Sequence, residues 1–385
     1  MSEYQYYEFQ ALDRPLTQEQ MSELRAYSSR AQITPSSFVN VYHWGSFKGN
    51  PEKWMEKYFD AFLYLANWGT RRLMFRVPNR LVDPETVSTY CTEESLSCRT
   101  KGDHLILSFH SEEEDHEWAE GESWLASLVP LRTDVMNGDH RCLYLGWLLA
   151  AQGDELDEDT IEPPVPPGLG EMNAPLRSLA DFLGIDLDLI SVASEKSAKA
   201  PAFGLTNGDI SRWVASLPPK EKDAVLMKLL RGDDPHIATE LRKRALSEIR
   251  GQGNLGSDSS SDDRRSVGRL VARAAVVAEE RQKKETEQRA QEKARRERAQ
   301  AEQRKKHLEA LAGKESALWA RFDKLIATKQ PKQYDEAVSL LQDLHDLSDM
   351  RGQSSDFSSR MSALRSEHSR KTALVNRLRK AKLLG

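Results

Sequence analysis

The chain has few cysteines: Cys91, Cys98 and Cys142 are the three in 385 residues. An odd number without close paired spacing gives no support to a disulfide framework, and fits small apolar side chains in a reducing compartment. Long apolar runs are also missing. The longest, Leu143 to Ala151, falls well short of the roughly 20 residues that a membrane-spanning helix needs. Met1 to Gln10 has neither the basic start nor the apolar stretch of a signal peptide, so a cytoplasmic protein with no membrane partner is expected. There is no Gly-rich phosphate loop, GxSxG elbow or HExxH helix, which removes the usual sequence grounds for an enzyme. No cofactor or metal is expected.

What is present is charge, unevenly placed. Hydrophobic residues make up 39% of the chain and charged residues 30%, with a net charge of -5 and a mean hydropathy of -0.64. Ser111 to Glu162 holds 15 acidic residues against 2 basic ones, and Arg264 to Ala310 holds 15 basic against 8 acidic. Within the second stretch Glu279, Glu280, Glu285, Glu292 and Glu302 each precede a Lys or Arg by four residues, the orientation that best supports an isolated helix. Large apolar residues are almost absent there, so a solvated single helix is expected. At 1.5 Å per residue it would reach about 45 Å and act as a spacer. A weak coiled coil, giving an oligomer through residues 266–314, is the alternative, because Val267, Leu270, Val271, Ala274, Val277 and Ala278 form a short apolar seam.

The pattern predicts a multidomain, mainly α protein. Residues 1–160 read as an α+β domain. Tyr4 to Leu12 and Phe38 to Trp44 are expected strands, Thr17 and Gln20 form a capping box, and Asn50 with Pro51 starts a helix expected to run to about Asn67. A strand at Arg71 to Val77 follows, then a short helix begun by Asp83 and Pro84, then a hairpin of Ser95 to Arg99 with His104 to Phe109. Helices at Glu122 to Leu131 and Arg141 to Gln152 close the domain. Residues 161–174, with Pro163, Pro164, Pro166 and Pro167, read as a stiff linker. Residues 175–250 read as an all-α domain, 251–265 as a flexible linker, 266–314 as the charged helix and 315–385 as a helical hairpin module.

Several side chains are candidates for chemistry. Arg72 and Arg76 share the polar face of their strand and could contact an anion, although a solvated face explains them better. His104 and His110 face away from Leu105, Leu107 and Phe109. With His116, His140 and the cysteines they lack the short paired spacing of a zinc site. The acidic run Glu112 to Glu122 reads as a loop. Arg295, Arg296, Arg298, Lys305, Lys306, Arg377, Arg379 and Lys380 form a basic set that could attract nucleic acid, though weakly, since glutamates intervene and aromatic stacking platforms are missing.

Leu179 to Ala193 resembles the DNA-binding helix-turn-helix family, with Ala180, the turn residue Gly184, and apolar Leu179, Leu183, Ile185, Ile190 and Ala193 in register. Asp186 and Asp188 stand where that family contacts DNA, and carboxylates repel phosphate, so a packed helical corner is expected. Tyr6 to Ala11 and Leu65 to Leu73 resemble segments of a widespread family of uncharacterised bacterial proteins. Leu325 to Val338 is similar to the C-terminal part of some bacterial SWIM zinc-finger proteins, whose zinc motifs are absent here. The resemblances imply an accessory bacterial protein and carry over no metal or nucleic-acid function. The expected function is a non-catalytic adaptor or scaffold with a protein partner. A nucleic-acid accessory factor is the alternative, and an enzyme built around Arg72, Arg76, His104 and His110 comes after it.

Overall fold

The computed structural model describes residues 3–112, 121–199, 205–232, 234–251 and 264–383. The chain divides into two units, residues 1–281 and 282–385.

The first unit is built on a seven-stranded antiparallel sheet: β1 (Gln5–Gln10), β2 (Gln32–Thr34), β3 (Ser37–Tyr42), β4 (Ala61–Ala66), β5 (Thr70–Pro78), β6 (Leu96–Lys101) and β7 (His104–Glu112). The strand order is β2-β3-β1-β4-β5-β7-β6, so β2 and β6 are the edges. Three helices are interleaved with the strands, α1 (Gln18–Tyr27), α2 (Pro51–Lys57) and α3 (Pro84–Ser88). Their starts follow the local chemistry. Thr17 and Gln20 make the reciprocal capping box, Asn50 accepts from the Lys53 amide, and Asp83 accepts from the Glu85 and Thr86 amides.

The sheet is covered on both faces. On one lies an aromatic core of Phe9, Phe38, Trp54, Met55, Phe59 and Phe62, closed by Leu24 of α1. The other carries Leu63, Leu73, Phe75, Leu107 and Phe109, together with α4 (Trp124–Met136) and α5 (Arg141–Gln152). This double cover explains the main local departure from expectation. The helix expected to run to about Asn67 stops at Lys57, and Ala61–Ala66 is the strand β4 between β1 and β5. Alternate residues of β4 enter opposite cores, so the whole strand is apolar and the period of two that marks a half-buried strand is erased.

The expected boundary at 161–174 is also corrected. Residues beyond it, in α6 (Ala174–Leu183) and α7 (Leu187–Ser194), enter the same core as the sheet through Leu176, Leu179, Phe182, Leu189 and Val192. The proline-rich segment is a strap over that core. Tyr90 donates its hydroxyl to the Pro164 carbonyl, Ser197 to that of Pro166, and Arg141 to that of Gly168, while Leu169 is buried. Proline blocks a helix here but leaves carbonyls free to accept such bonds.

The 175–250 stretch is helical as expected, but it serves two cores. Beyond α7, α8 (Asn207–Ser216) and α10 (Ile237–Gly251) meet in a small cluster around Trp213, Leu217 and Ala245, with α9 (Pro219–Arg231) between them in sequence. Most of the expected flexible linker, residues 252–263, lies outside the described residues, as do residues 113–120 of the acidic run.

The charged stretch forms one helix, α11 (Val267–Leu311). Its first turns belong to the first unit. Val267, Leu270 and Ala274 enter the sheet core, the Glu162 amide donates to the Arg265 carbonyl, and the Val267 amide donates to Thr160. The Glu162 side chain is 2% exposed and accepts from Arg265 at 2.8 Å through each oxygen and from the Tyr144 hydroxyl. Arg265 also donates to the carbonyls of Val192 and Ala193 at the end of α7. Along the exposed part, expected Glu-to-Lys/Arg pairs are formed at Glu285–Arg289, Glu292–Arg296 and Glu302–Lys306. Each such pair contributes about 0.3–0.5 kcal/mol.

The second unit has its own core. It comprises α12 (Glu315–Ala327), α13 (Pro331–Met350), α14 (Ser354–Glu367) and α15 (Thr372–Lys380), packed through Trp319, Phe322, Leu341, Phe357, Met361 and Leu374. Near its C-terminus α11 joins this unit, with Arg304 held by Asp343 and Asp346 and with His307 beside Asp343 at 3.0 Å.

Removing one partner of a buried, hydrogen-bonded ion pair leaves the other charge uncompensated, at a cost of about 3–5 kcal/mol. Glu162→Gln is therefore expected to lower the calorimetric transition of the first unit strongly and leave that of the second unchanged. Equal shifts in both, or none, would mean that Glu162 does not seat α11 in the sheet core.

Candidate functional site

The sequence places its candidate charges on β5 and β7, whose antiparallel register decides what they meet. Arg72 stands opposite His110, Met74 opposite Ser108, Arg76 opposite Ile106 and Pro78 opposite His104. Directly opposed residues share a face, so the two arginines and two histidines do lie on one side of the sheet, as their alternation indicates. His104 and His110 nevertheless stand at opposite ends of that row. Burial and the neighbouring Arg76 charge hold His104 below the ordinary imidazole range.

Both arginines already have a carboxylate partner. Arg76 is clamped by Asp60 through Nε at 3.1 Å and Nη2 at 2.7 Å, with side chains 12% and 1% exposed. Arg72 pairs with Glu52 at 2.7 Å and donates to the Ser108 hydroxyl at 3.1 Å. Each guanidinium is matched by a carboxylate, which weakens its pull on an external anion, and of the two Arg72 is the more exposed, at 29%.

An open cleft of about 640 Å³ lies beside Arg72, bounded by Ser97, Ser108, His110, Gln152 and Glu155. Its polar groups are largely engaged in holding chain segments. Glu155 accepts from the Glu94 and Ser95 amides at 2.6 and 3.0 Å, and Gln152 bridges the Gly184 carbonyl and the Asp186 amide. The amide bonds to Glu155 outweigh the burial that would raise its carboxyl, and hold it below the usual range, the reverse of what a general acid needs. Among the described residues no group of three or more His, Cys, Asp or Glu side chains is placed to hold a metal ion, and His116 lies outside them.

A further charge cluster has no counterpart among the sequence candidates. Asp13, just after β1, takes both oxygens to Arg132 of α4 at 2.8 and 2.6 Å and meets His236 Nε2 at 2.9 Å. Asp60 accepts from the Leu12 and Asp13 amides at 2.7 and 2.9 Å, and Arg132 donates to the Arg76 carbonyl. The signal available was a charge set in an apolar run: Phe59-Asp60-Ala61-Phe62 and Leu131-Arg132-Thr133. His236 belongs to the start of α10, where Asp234 also binds Arg80 at 2.6 and 2.8 Å and Lys243 donates to the Leu81 carbonyl. The α8–α10 cluster is thus tied to the sheet by polar contacts.

The helix-turn-helix segment does form a corner: Gly184 takes φ 72° between α6 and α7, a conformation that glycine adopts without steric cost. The Arg71 guanidinium donates to the Asp181 and Phe182 carbonyls, and Ser111 to that of Leu183, so the corner is stitched to the sheet. Asp186 caps α7, and Asp188 is buried against Arg281 at 2.9 Å. The inward residues Leu189, Ile190, Val192 and Ala193 of α7 are core, and its outward side presents Leu187 and Ser191 and no basic side chain.

Of the eight expected nucleic-acid contacts, four have carboxylate partners: Arg296 with Glu292, Lys305 with Glu309, Lys306 with Glu302 and Arg377 with Asp335. Arg295, Arg298, Arg379 and Lys380 have none among the described residues. Such partial neutralisation lowers the pull on phosphate.

No family model matches this chain, and no curated protein or solved structure is similar enough to it to match.

Burial would raise the Asp13 carboxyl, but hydrogen bonds from His236 and Arg132 overcome it and hold the group well below the usual carboxylate range. A depressed folded-state value stabilises the fold above the unfolded value of about 3.9, and that contribution is lost as pH falls through the folded one. Asp13→Asn is therefore expected to be less stable than the native chain in urea at pH 7, with the gap closing below about pH 4. A gap independent of pH would show that the Asp13 charge contributes nothing.

Proposed function

We propose that the protein is a non-catalytic adaptor whose α8–α9 surface receives a protein partner, and whose charged helix connects that unit to a second, helical one. The observation that carries this reading is α9. It has no buried residue, and Leu226, Met227, Leu229 and Leu230 are 56%, 49%, 47% and 82% exposed. Leu226, Leu229 and Leu230 share one side by helical spacing, and Ile210 and Val214 of neighbouring α8 are open too. Fully covering a leucine or methionine side chain stabilises by about 1.5–3 kcal/mol, so an apolar face left in water is a binding surface.

The charges around it describe the occupant. Lys220, Lys222, Lys228 and Arg231 outnumber Glu221 and Asp223 on α9, and Glu221 is already bound to Arg244. An amphipathic segment with apolar anchors and acidic flanks suits this surface. A cytoplasmic setting fits the three free thiols. Among the described residues no helix is long and apolar enough to cross a membrane. The enzyme reading draws no support from the β5–β7 face, where the arginines already have internal carboxylate partners.

Affinity capture with full-length protein, native against Leu226→Ser with Leu230→Ser, tests the proposal. Both residues are exposed, so the thermal midpoint is expected to stay within about a degree or two. The expected result is loss of a stoichiometric, salt-sensitive protein partner in the variant. Retention of the same proteins by both would sink the α9 reading.

A further inference from the structure

Two of the three thiols are brought together at the edge of the sheet. After α3, the Cys91 amide donates to the Ser88 carbonyl at 3.2 Å and the Cys91 thiol donates to the Val87 carbonyl at 3.5 Å. The chain then closes a tight loop. The Thr92 amide donates to Leu96 at 2.7 Å, and the Leu96 amide to the Thr92 hydroxyl at 3.1 Å. Glu155 pins the tip of that loop through the Glu94 and Ser95 amides.

The loop returns the chain beside Cys91 just where β6 begins. Cys98 lies two residues after buried Leu96, hence on the same face of the strand, and both cysteines pack half-buried against the same core. Because β6 is an edge strand, the pair sits at the rim of the sheet and not at its centre. Cys142 is different, being buried in α5 with its thiol pushed up by desolvation.

We propose that Cys91 and Cys98 form a reversible dithiol–disulfide site that reacts with low-molecular-weight disulfides, Cys98 as the attacking sulfur and Cys91 as the resolving one. The Cys98 thiolate attacks one sulfur of the small disulfide, a mixed disulfide forms, and one thiolate of the reagent leaves. Cys91 then gives up its proton and attacks the Cys98 sulfur, expelling the second reagent thiolate, which takes up a proton. In sum two protein thiols are oxidised to one cystine, and the reagent disulfide is reduced to two thiols.

The division of roles follows from the single proton on Cys91. The Cys91 thiol donates it to the Val87 carbonyl at 3.5 Å, a contact that favours the protonated form. The neighbouring Cys91 thiol brings Cys98 down to about 7, while the Cys98 sulfur together with burial pushes Cys91 well above the ordinary thiol range. A thiol near ambient pH is the better attacker, and the protected one is left to resolve.

Full-length protein treated with oxidised glutathione and analysed by intact mass and peptide mapping tests this. The native chain is expected to lose the mass of two hydrogens, yield a Cys91–Cys98 cross-linked peptide and revert with dithiothreitol. Cys91→Ser is expected to stop at a stable glutathione adduct on Cys98, and Cys98→Ser to form no cross-link. Alkylation of Cys98 is expected to be half-maximal near pH 7 in the native chain and to move upward in Cys91→Ala, which removes the donor, a shift that mere proximity in the fold would not produce. A stable adduct without cross-link in the native chain, or an alkylation profile that Cys91→Ala does not move, would overturn the proposal.

Discussion

The Glu162 carboxylate, buried between Tyr144 and Arg265, is the constraint on which the first unit depends. It lies at one end of the proline-rich strap, and its main partner comes from the residues just before α11. Arg265 in turn reaches the last carbonyls of α7, the end of a helix where unsatisfied acceptors welcome a cation. Burial works against the charge on Arg265, but the Glu162 hydrogen bond more than offsets it and holds the guanidinium above its ordinary value. Burial, and then the neighbouring Glu162 charge, push the Tyr144 hydroxyl up in the same way, so it stays a donor. One satisfied cluster thus fastens α5, α7 and the root of α11 to one another. A cluster of this kind left half-satisfied would be worse than an apolar core.

Much of the local structure was legible because it is written in neighbouring residues. Thr17 with Gln20, Asn50 with Pro51 and Asp83 with Pro84 announce helix starts, and the Glu-to-Lys/Arg spacing announces α11. What failed to show depends on distant partners. β4 is apolar throughout because helices cover both sheet faces, which no window of sequence around it reveals. The prolines at 163–167 look like a linker until Tyr90 and Ser197 are found donating to their carbonyls.

The site is a harder case of the same problem. Arg72 and Arg76 were correctly placed on a common face, yet their meaning turns on Glu52 and Asp60, brought in from α2 and the turn that follows it. Arg132 stands out in an apolar run, but its partner Asp13 is 119 residues away in sequence. Polar side chains that would suggest chemistry in isolation are largely consumed in holding segments together. Exposed apolar side chains of the first unit include Leu226, Met227, Leu229 and Leu230, gathered on α9.

The central claim is that α6, α7 and the first turns of α11 fold as one body with the sheet, across a proline-rich segment that looks like a boundary. Native-state hydrogen exchange on the full chain, at increasing urea below the unfolding midpoint, measures this directly. The amides of Leu179, Phe182, Leu189 and Leu270 are predicted to converge on the same opening transition as those of Leu63 and Phe75. If the helical amides open at lower urea, in a separate transition while the sheet stays protected, the claim is contradicted.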